Sequence, residues 1–90
     1  MIVQISETFR QDYLAINDPS LTVKLFGVIS RLKQENYPAQ SVILKALTEQ
    51  PYFFKFGLGF YVIGSKEISQ NTIVLLRMVY RHEIFNALGV

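Results

Sequence analysis

The spacing of apolar residues changes partway along this chain, and the change limits the folds open to it. Phe9, Tyr13 and Ile16 recur at the spacing of one helical face, and a second helical stripe runs from Leu21 to Leu32. After Ala39 the apolar runs become aromatic or β-branched, which is typical of strands. These runs cover residues 52–56, 60–63 and 72–82. Helices grouped before strands predict an α+β fold.

Polar and glycine-containing segments mark the element boundaries. Ser6 is expected to cap the first helix, with a strand before it at residues 1–5. Residues 17–20, Asn-Asp-Pro-Ser, end the first helix and begin the second, which predicts a helical hairpin. Gly57-Leu58-Gly59 predicts a hairpin between two strands. We therefore expect one domain spanning residues 1–90, with an N-terminal strand and a helical hairpin packed on one face of an antiparallel sheet.

Two segments allow more than one interpretation. Residues 42–47 fit either a short strand or a turn of helix, and residues 83–88 fit a short helix or an arm.

Composition excludes several kinds of site and location. The 90 residues contain no cysteine and one histidine, so we expect no disulfide, no metal and no cofactor. No signal peptide is visible, and the longest apolar stretch, residues 51–64, is interrupted by Lys55 and three glycines. We expect a cytoplasmic protein with no membrane contact. Half of the residues are apolar, which favours an apolar patch that a partner covers.

The positive charge lies in the C-terminal half. Residues 1–44 balance four cations with four acids, whereas residues 45–90 carry five cations and three acids. Strand alternation places Ile73, Leu75, Arg77, Val79 and Arg81 on one face of the last strand. The even-numbered residues from 74 to 82 share the opposite face. This face is more uniformly apolar and is expected to pack on the helices. The two arginines would then lie about 13 Å apart on the open face. Lys55 is expected to join them there.

Four segments resemble the RelE/ParE family of toxin–antitoxin proteins. SETFRQDYLAI resembles the opening helix of these toxins, and SRLKQENYPAQSVILKAL resembles their second helix and the segment after it. YFFKFGLGFYVIGS is similar to the family's hairpin, and IVLLRMVYRHEIFNAL is similar to its last strand. The resemblance implies a toxin held by a cognate antitoxin. RelE-type members cleave mRNA on the ribosome without a metal, and ParE-type members act on DNA gyrase.

The resemblance also implies a set of site residues. Arg81 would bind the scissile phosphate, with His82 and Tyr61 as the candidates for proton transfer. Lys55, Arg77 and Lys45 would bind the substrate. Two positions depart from the family pattern: Tyr61 stands where a sheet arginine is usual, and Phe85 where some members have a catalytic tyrosine.

These departures keep two alternatives open. One is a binding protein with the same fold and no nuclease activity, such as a gyrase-type poison or an antitoxin-binding module. The other is an unrelated α+β interaction protein that forms a homodimer through an exposed strand edge. For a toxin, the expected partners are the antitoxin, the ribosome and mRNA, in a homodimer or in a hetero-oligomer with the antitoxin.

Overall fold

Residues 1–47 and 49–90, which a computed structural model describes, contain one sheet of five strands in the order β1-β5-β4-β3-β2. The strands are β1 (Ile2–Ile5), β2 (Lys45–Ala46), β3 (Phe53–Leu58), β4 (Tyr61–Ser69) and β5 (Thr72–Tyr80). β1 lies parallel to β5, with Ile2 opposite Thr72, and the other three pairs are antiparallel. The parallel pair is possible because the helical hairpin between β1 and the later strands provides the crossover connection.

The two long helices are α1 (Glu7–Ile16) and α2 (Pro19–Gln34). The Ser6 side chain accepts a hydrogen bond from the Phe9 N–H at 3.0 Å and so caps α1. Asn17 ends α1 in the left-handed conformation with φ 49°, which asparagine tolerates better than most residues. Asp18 caps α2 by accepting from the Ser20 N–H at 3.0 Å. The Tyr13 hydroxyl hydrogen-bonds to Thr22 and joins the two helices.

The helical hairpin packs on one face of the sheet, as predicted. Phe9 of α1 and four leucine or isoleucine side chains of α2 are buried against side chains of β3, β4 and β5. The buried sheet residues are Phe54, Phe56, Leu58, Ile63, Ile73, Leu75 and Met78. This layer confirms the α+β prediction. Among the helices of the described residues, none has the length and apolar character needed to cross a membrane.

A β-bulge in β5 changes which residues share a face. Gly64 lies opposite Arg77 whereas Ser65 lies opposite Leu75, so Leu76 is an extra residue in β5. Ile73 and Leu75 pack on the helices before the bulge, and Met78 does so after it. The prediction that the odd-numbered residues of β5 form one open face is therefore wrong. β5 also ends at Tyr80, so Arg81 and His82 belong to a short 3₁₀-helix (Arg81–Glu83) rather than to the strand.

A short helix, α3 (Ile84–Leu88), packs on the second face of the sheet. Ile84 is buried with Val62 and Val79, and Leu88 packs beside them. Gly64 allows this close contact because it has no side chain. A Cβ atom there would lie 2.7 Å from Leu88 Cδ1. The face that we expected to be open is thus partly covered by α3. Its uncovered part lies toward β2 and β3.

Candidate functional site

Three cations meet in one pocket on the uncovered part of the second face. Lys45, Lys55 and Arg81 line a cavity of about 210 Å³ together with Phe56, Gly57 and Val62. We call this cavity the basic pocket. Its lining residues come from β2, β3, β4 and the 3₁₀-helix that follows β5.

Strand register places the two lysines side by side. Lys45 of β2 lies directly opposite Lys55 of β3. Side chains of directly opposed residues point to the same face with Cβ atoms about 5 Å apart, and like charges in this position destabilise a sheet. None of the described residues that line the pocket is acidic. The arrangement therefore favours an anion that neutralises both ammonium groups.

Gly57 and Arg81 shape the rest of the pocket. Gly57 lies opposite Val62, and no atom comes within 4 Å of where its Cβ would be, so the pocket is open at this position. Arg81 enters because β5 ends at Tyr80 and the chain turns into the 3₁₀-helix. The basic pocket is thus lined by two lysines from neighbouring strands and by an arginine from the segment that follows β5.

Arg77 lies elsewhere and has a carboxylate partner. Its Nε donates to Asp12 Oδ2 at 2.7 Å, and its Nη2 donates to Asp12 Oδ1 at 3.3 Å. The Met78 N–H donates to the same Oδ2 at 3.0 Å. Hydrogen bonding to Asp12 raises the pKa of Arg77 above its ordinary value. The Asp12 carboxylate of α1 holds the Arg77 side chain, which does not line the basic pocket. The prediction that Arg77 shares an open surface with Lys55 and Arg81 is therefore wrong.

Tyr61 and His82 belong to an aromatic stack that also lies outside the basic pocket. The Tyr61 and Tyr80 rings stack with centroids 5.0 Å apart, and His82 stacks on Tyr80 at 6.2 Å. The His82 side chain is 82% exposed, with Nε2 3.8 Å from Glu83 Oε1. Tyr61, Tyr80 and Arg77 line a separate cavity of about 440 Å³ beside α1.

The surroundings of the Tyr61 hydroxyl raise its pKa. Hydrogen bonding to the Tyr80 side chain, with burial as a further cause, raises the pKa of Tyr61 above its ordinary value of 10.0. A tyrosine hydroxyl already carries its proton at neutral pH, and the raised pKa makes Tyr61 a weaker acid that serves as a hydrogen-bond donor.

Of the six predicted site residues, the structure brings Lys45, Lys55 and Arg81 together and places Arg77, Tyr61 and His82 elsewhere. Sequence reasoning missed Asp12, and it left Tyr80 as either a core ring or a residue that stacks on bases. Asp12 is 65 residues from Arg77 and gives no local signal. Strand alternation places Tyr80 on the face that packs on the helices, whereas the residue is half exposed at the end of β5 and stacks on Tyr61.

These elements define an α+β protein with the fold of RelE-like toxins. The fold is similar to that of a solved structure, a RelB–RelE antitoxin–toxin complex from Methanococcus jannaschii, with a TM-score of 0.71 and 19% sequence identity. The match covers 92% of this chain and 95% of the chain in that structure. No family model and no curated protein matches the sequence.

Proposed function

We propose that this protein is the toxin of a toxin–antitoxin pair and that it binds RNA in the basic pocket, cleaving mRNA on the ribosome without a metal. One observation carries the proposal: on a RelE-like fold, Lys45 and Lys55 are directly opposed and share a pocket with Arg81. Clusters of lysine and arginine side chains are common binding sites for phosphate. We propose the cytoplasm as its location, where ribosomes and mRNA are found.

The pocket residues match two of the three needs of metal-free RNA cleavage. Such cleavage requires removal of a proton from the 2′-hydroxyl, stabilisation of the charged phosphate and protonation of the leaving oxygen. The Arg81 guanidinium would hold two phosphate oxygens in its planar fork. A lysine ammonium would neutralise the developing charge and supply the proton. His82 and Tyr61 remain the proposed candidates for removal of the 2′-hydroxyl proton, although both lie in the aromatic stack outside the basic pocket.

A second function is favoured because the described residues of the basic pocket include no group that could act as a general base. Its described lining residues include no carboxylate, histidine or tyrosine that could remove the 2′-hydroxyl proton. His82 stacks on Tyr80 instead. The alternative is a binding protein with this fold and no nuclease activity, either a gyrase-type poison or a module that binds the antitoxin.

Exposed apolar side chains support the proposed antitoxin partner. Val23 and Phe26 of α2 and Leu14 of α1 are exposed. The edge strand β1 exposes Ile2 and Ile5 as well. An antitoxin that covers these side chains would remove apolar surface from water, which is the main favourable term in association.

Expression without the antitoxin tests the toxin assignment. We expect growth arrest from the wild-type chain and relief of arrest by Arg81→Gln or Lys55→Gln, because each substitution removes one phosphate-binding charge. Arg10→Gln is the matched control, since Arg10 is 63% exposed in a surface ion pair with Glu7. Normal growth with folded wild-type protein present at the same level would refute the toxin assignment.

Toeprinting on translating ribosomes separates the nuclease from the binding protein. A nuclease yields new mRNA 5′ ends at the ribosomal A site, and these ends disappear with Arg81→Gln. Intact mRNA together with growth arrest would favour the alternative, and inhibition of DNA supercoiling by gyrase would then identify the poison.

A further inference from the structure

A second cavity continues the basic pocket around the edge of β3. Lys24 and Arg31 of α2 line a groove of about 370 Å³, and Gly57 lines both this groove and the basic pocket. We call this cavity the α2 groove. Lys24 and Arg31 are seven residues apart on one side of α2, which separates them by about 10 Å along the helix axis.

Glycines bring the backbone to the surface along the α2 groove. Gly27 of α2 and Gly57 of β3 are both exposed, and no neighbouring atom lies within 4 Å of where a Cβ would stand on either residue. Gly59 takes a positive φ of 61° in the turn after β3. Phe60, the next residue, is 88% exposed and presents its ring to solvent. The α2 groove is therefore lined by exposed backbone and by two cations, and the exposed Phe60 ring follows directly after its lining residue Gly59.

The charges around the two cavities have one sign. Lys24 and Arg31 lie on one side of the β3 edge, and Lys45, Lys55 and Arg81 lie on the other. Within residues 1–47 and 49–90, none of the side chains that line either cavity is acidic. The occupant that complements this surface is a polyanion whose charges are spread along its length.

The geometry of the β3 edge favours a nucleic acid over an acidic peptide strand. The Leu47 N–H donates to the Phe53 carbonyl, so Phe53, Lys55 and Gly57 turn their backbone groups away from β4. β2 already pairs with Lys55, and the turn begins after Leu58. Of the three β3 residues whose backbone groups point away from β4, Gly57 alone is then left without a strand partner. An added peptide strand needs several such residues.

We propose that the α2 groove holds the RNA segment that flanks the nucleotide in the basic pocket. Lys24 and Arg31 bind its phosphates, the Gly57 N–H approaches its backbone, and Phe60 stacks on a base. This inference rests on the proposed RNA-binding function and adds a second phosphate-binding surface to it.

Two lengths of RNA test the inference. The probes are single-stranded 2′-O-methyl oligouridylates of about four and about twelve nucleotides, lengths at the lower end and inside the usual range of single-strand sites. The 2′-O-methyl groups remove the nucleophile and prevent cleavage. We expect the longer probe to bind wild-type protein more tightly. The double variant Lys24→Gln/Arg31→Gln should lower its slope of log affinity against log salt by about 1.4, and each single variant by about 0.7.

The shorter probe and a control variant complete the design. Binding of the shorter probe should fall with Lys55→Gln and stay unchanged with Lys24→Gln/Arg31→Gln. Lys33→Gln, a charge removal elsewhere on α2, should leave both probes unchanged. The single variants keep the test decisive if the double variant does not fold.

Three outcomes would overturn the inference. If Lys55→Gln weakens both probes and the α2 variants leave the salt slope of the longer probe unchanged, the groove inference fails and the RNA-binding function stands. If wild-type protein binds neither probe, both proposals fail. If the α2 variants lose binding of a polyglutamate peptide while RNA binding is unchanged, the groove holds an acidic protein segment instead.

Discussion

Asp12 satisfies two groups of the last strand at once. Its carboxylate accepts from the Arg77 guanidinium and from the Met78 backbone N–H, and the Asp12 and Arg77 side chains are only 18% and 30% exposed. Asp12→Ala leaves a half-buried charge and a backbone donor without partners, so we expect a loss of about 1–3 kcal/mol in the free energy of unfolding. Urea denaturation measures it. Glu7→Ala, which breaks an exposed ion pair, should change stability by less than about 0.5 kcal/mol.

The opposed lysines predict a conflict between stability and binding. Lys45→Glu replaces a like-charged cross-strand pair with an opposite-charged pair, so the free protein should gain about 0.2–1 kcal/mol. The same substitution places a carboxylate in the basic pocket and should weaken RNA binding. Thermal unfolding and titration of the short RNA probe measure the two effects. A variant that is less stable than wild type would show that the lysines do not repel each other.

At the scale of elements, the sequence predicts the helices and their packing, and it fails at the bulge of β5. Periodicity and capping residues locate α1 and α2 because α2 buries a continuous apolar stripe, and α1 buries Phe9 with Tyr13 and Ile16 partly buried beside it. Leu76 is apolar and fits either face of a strand, so nothing in the sequence indicates that it is an extra residue. Lys55 and Arg81 meet in one pocket, as the sequence predicts. The prediction for Arg77 fails because the bulge and the distant Asp12 act on it together.

The contact between α3 and β4 gives a test at this scale. Gly64→Ala puts a methyl group against the ends of the Ile84 and Leu88 side chains, which can shift, so we expect a loss of about 1 kcal/mol and faster hydrogen exchange in α3. The same substitution at Gly27, in the exposed interior of α2, should stabilise the protein by about 0.5–1 kcal/mol. Equal effects of the two substitutions would contradict the close packing of α3.

For the molecule as a whole, five of the nine lysine and arginine residues line the basic pocket or the α2 groove. Five phosphate contacts at about 0.7 each give a salt slope of about 3.5, so affinity for the longer RNA probe should fall about a hundredfold between about 50 and 200 mM salt. Fluorescence anisotropy across this range measures the slope. A slope below about 1 would mean that RNA does not occupy both cavities. The net charge of +2 does not reveal this concentration of charge.

The pairing of β1 with β5 also determines when the first strand can join the sheet as the chain is synthesised. Ile2 must wait for Thr72 before it gains its neighbour in the sheet. Contacts between residues so far apart in sequence slow folding, and a chain emerging from its N-terminus makes them late. Arg81 follows β5, so the basic pocket is completed only after β5 is in place. A chain that stops before β5 therefore lacks both the partner strand of β1 and the arginine of the basic pocket.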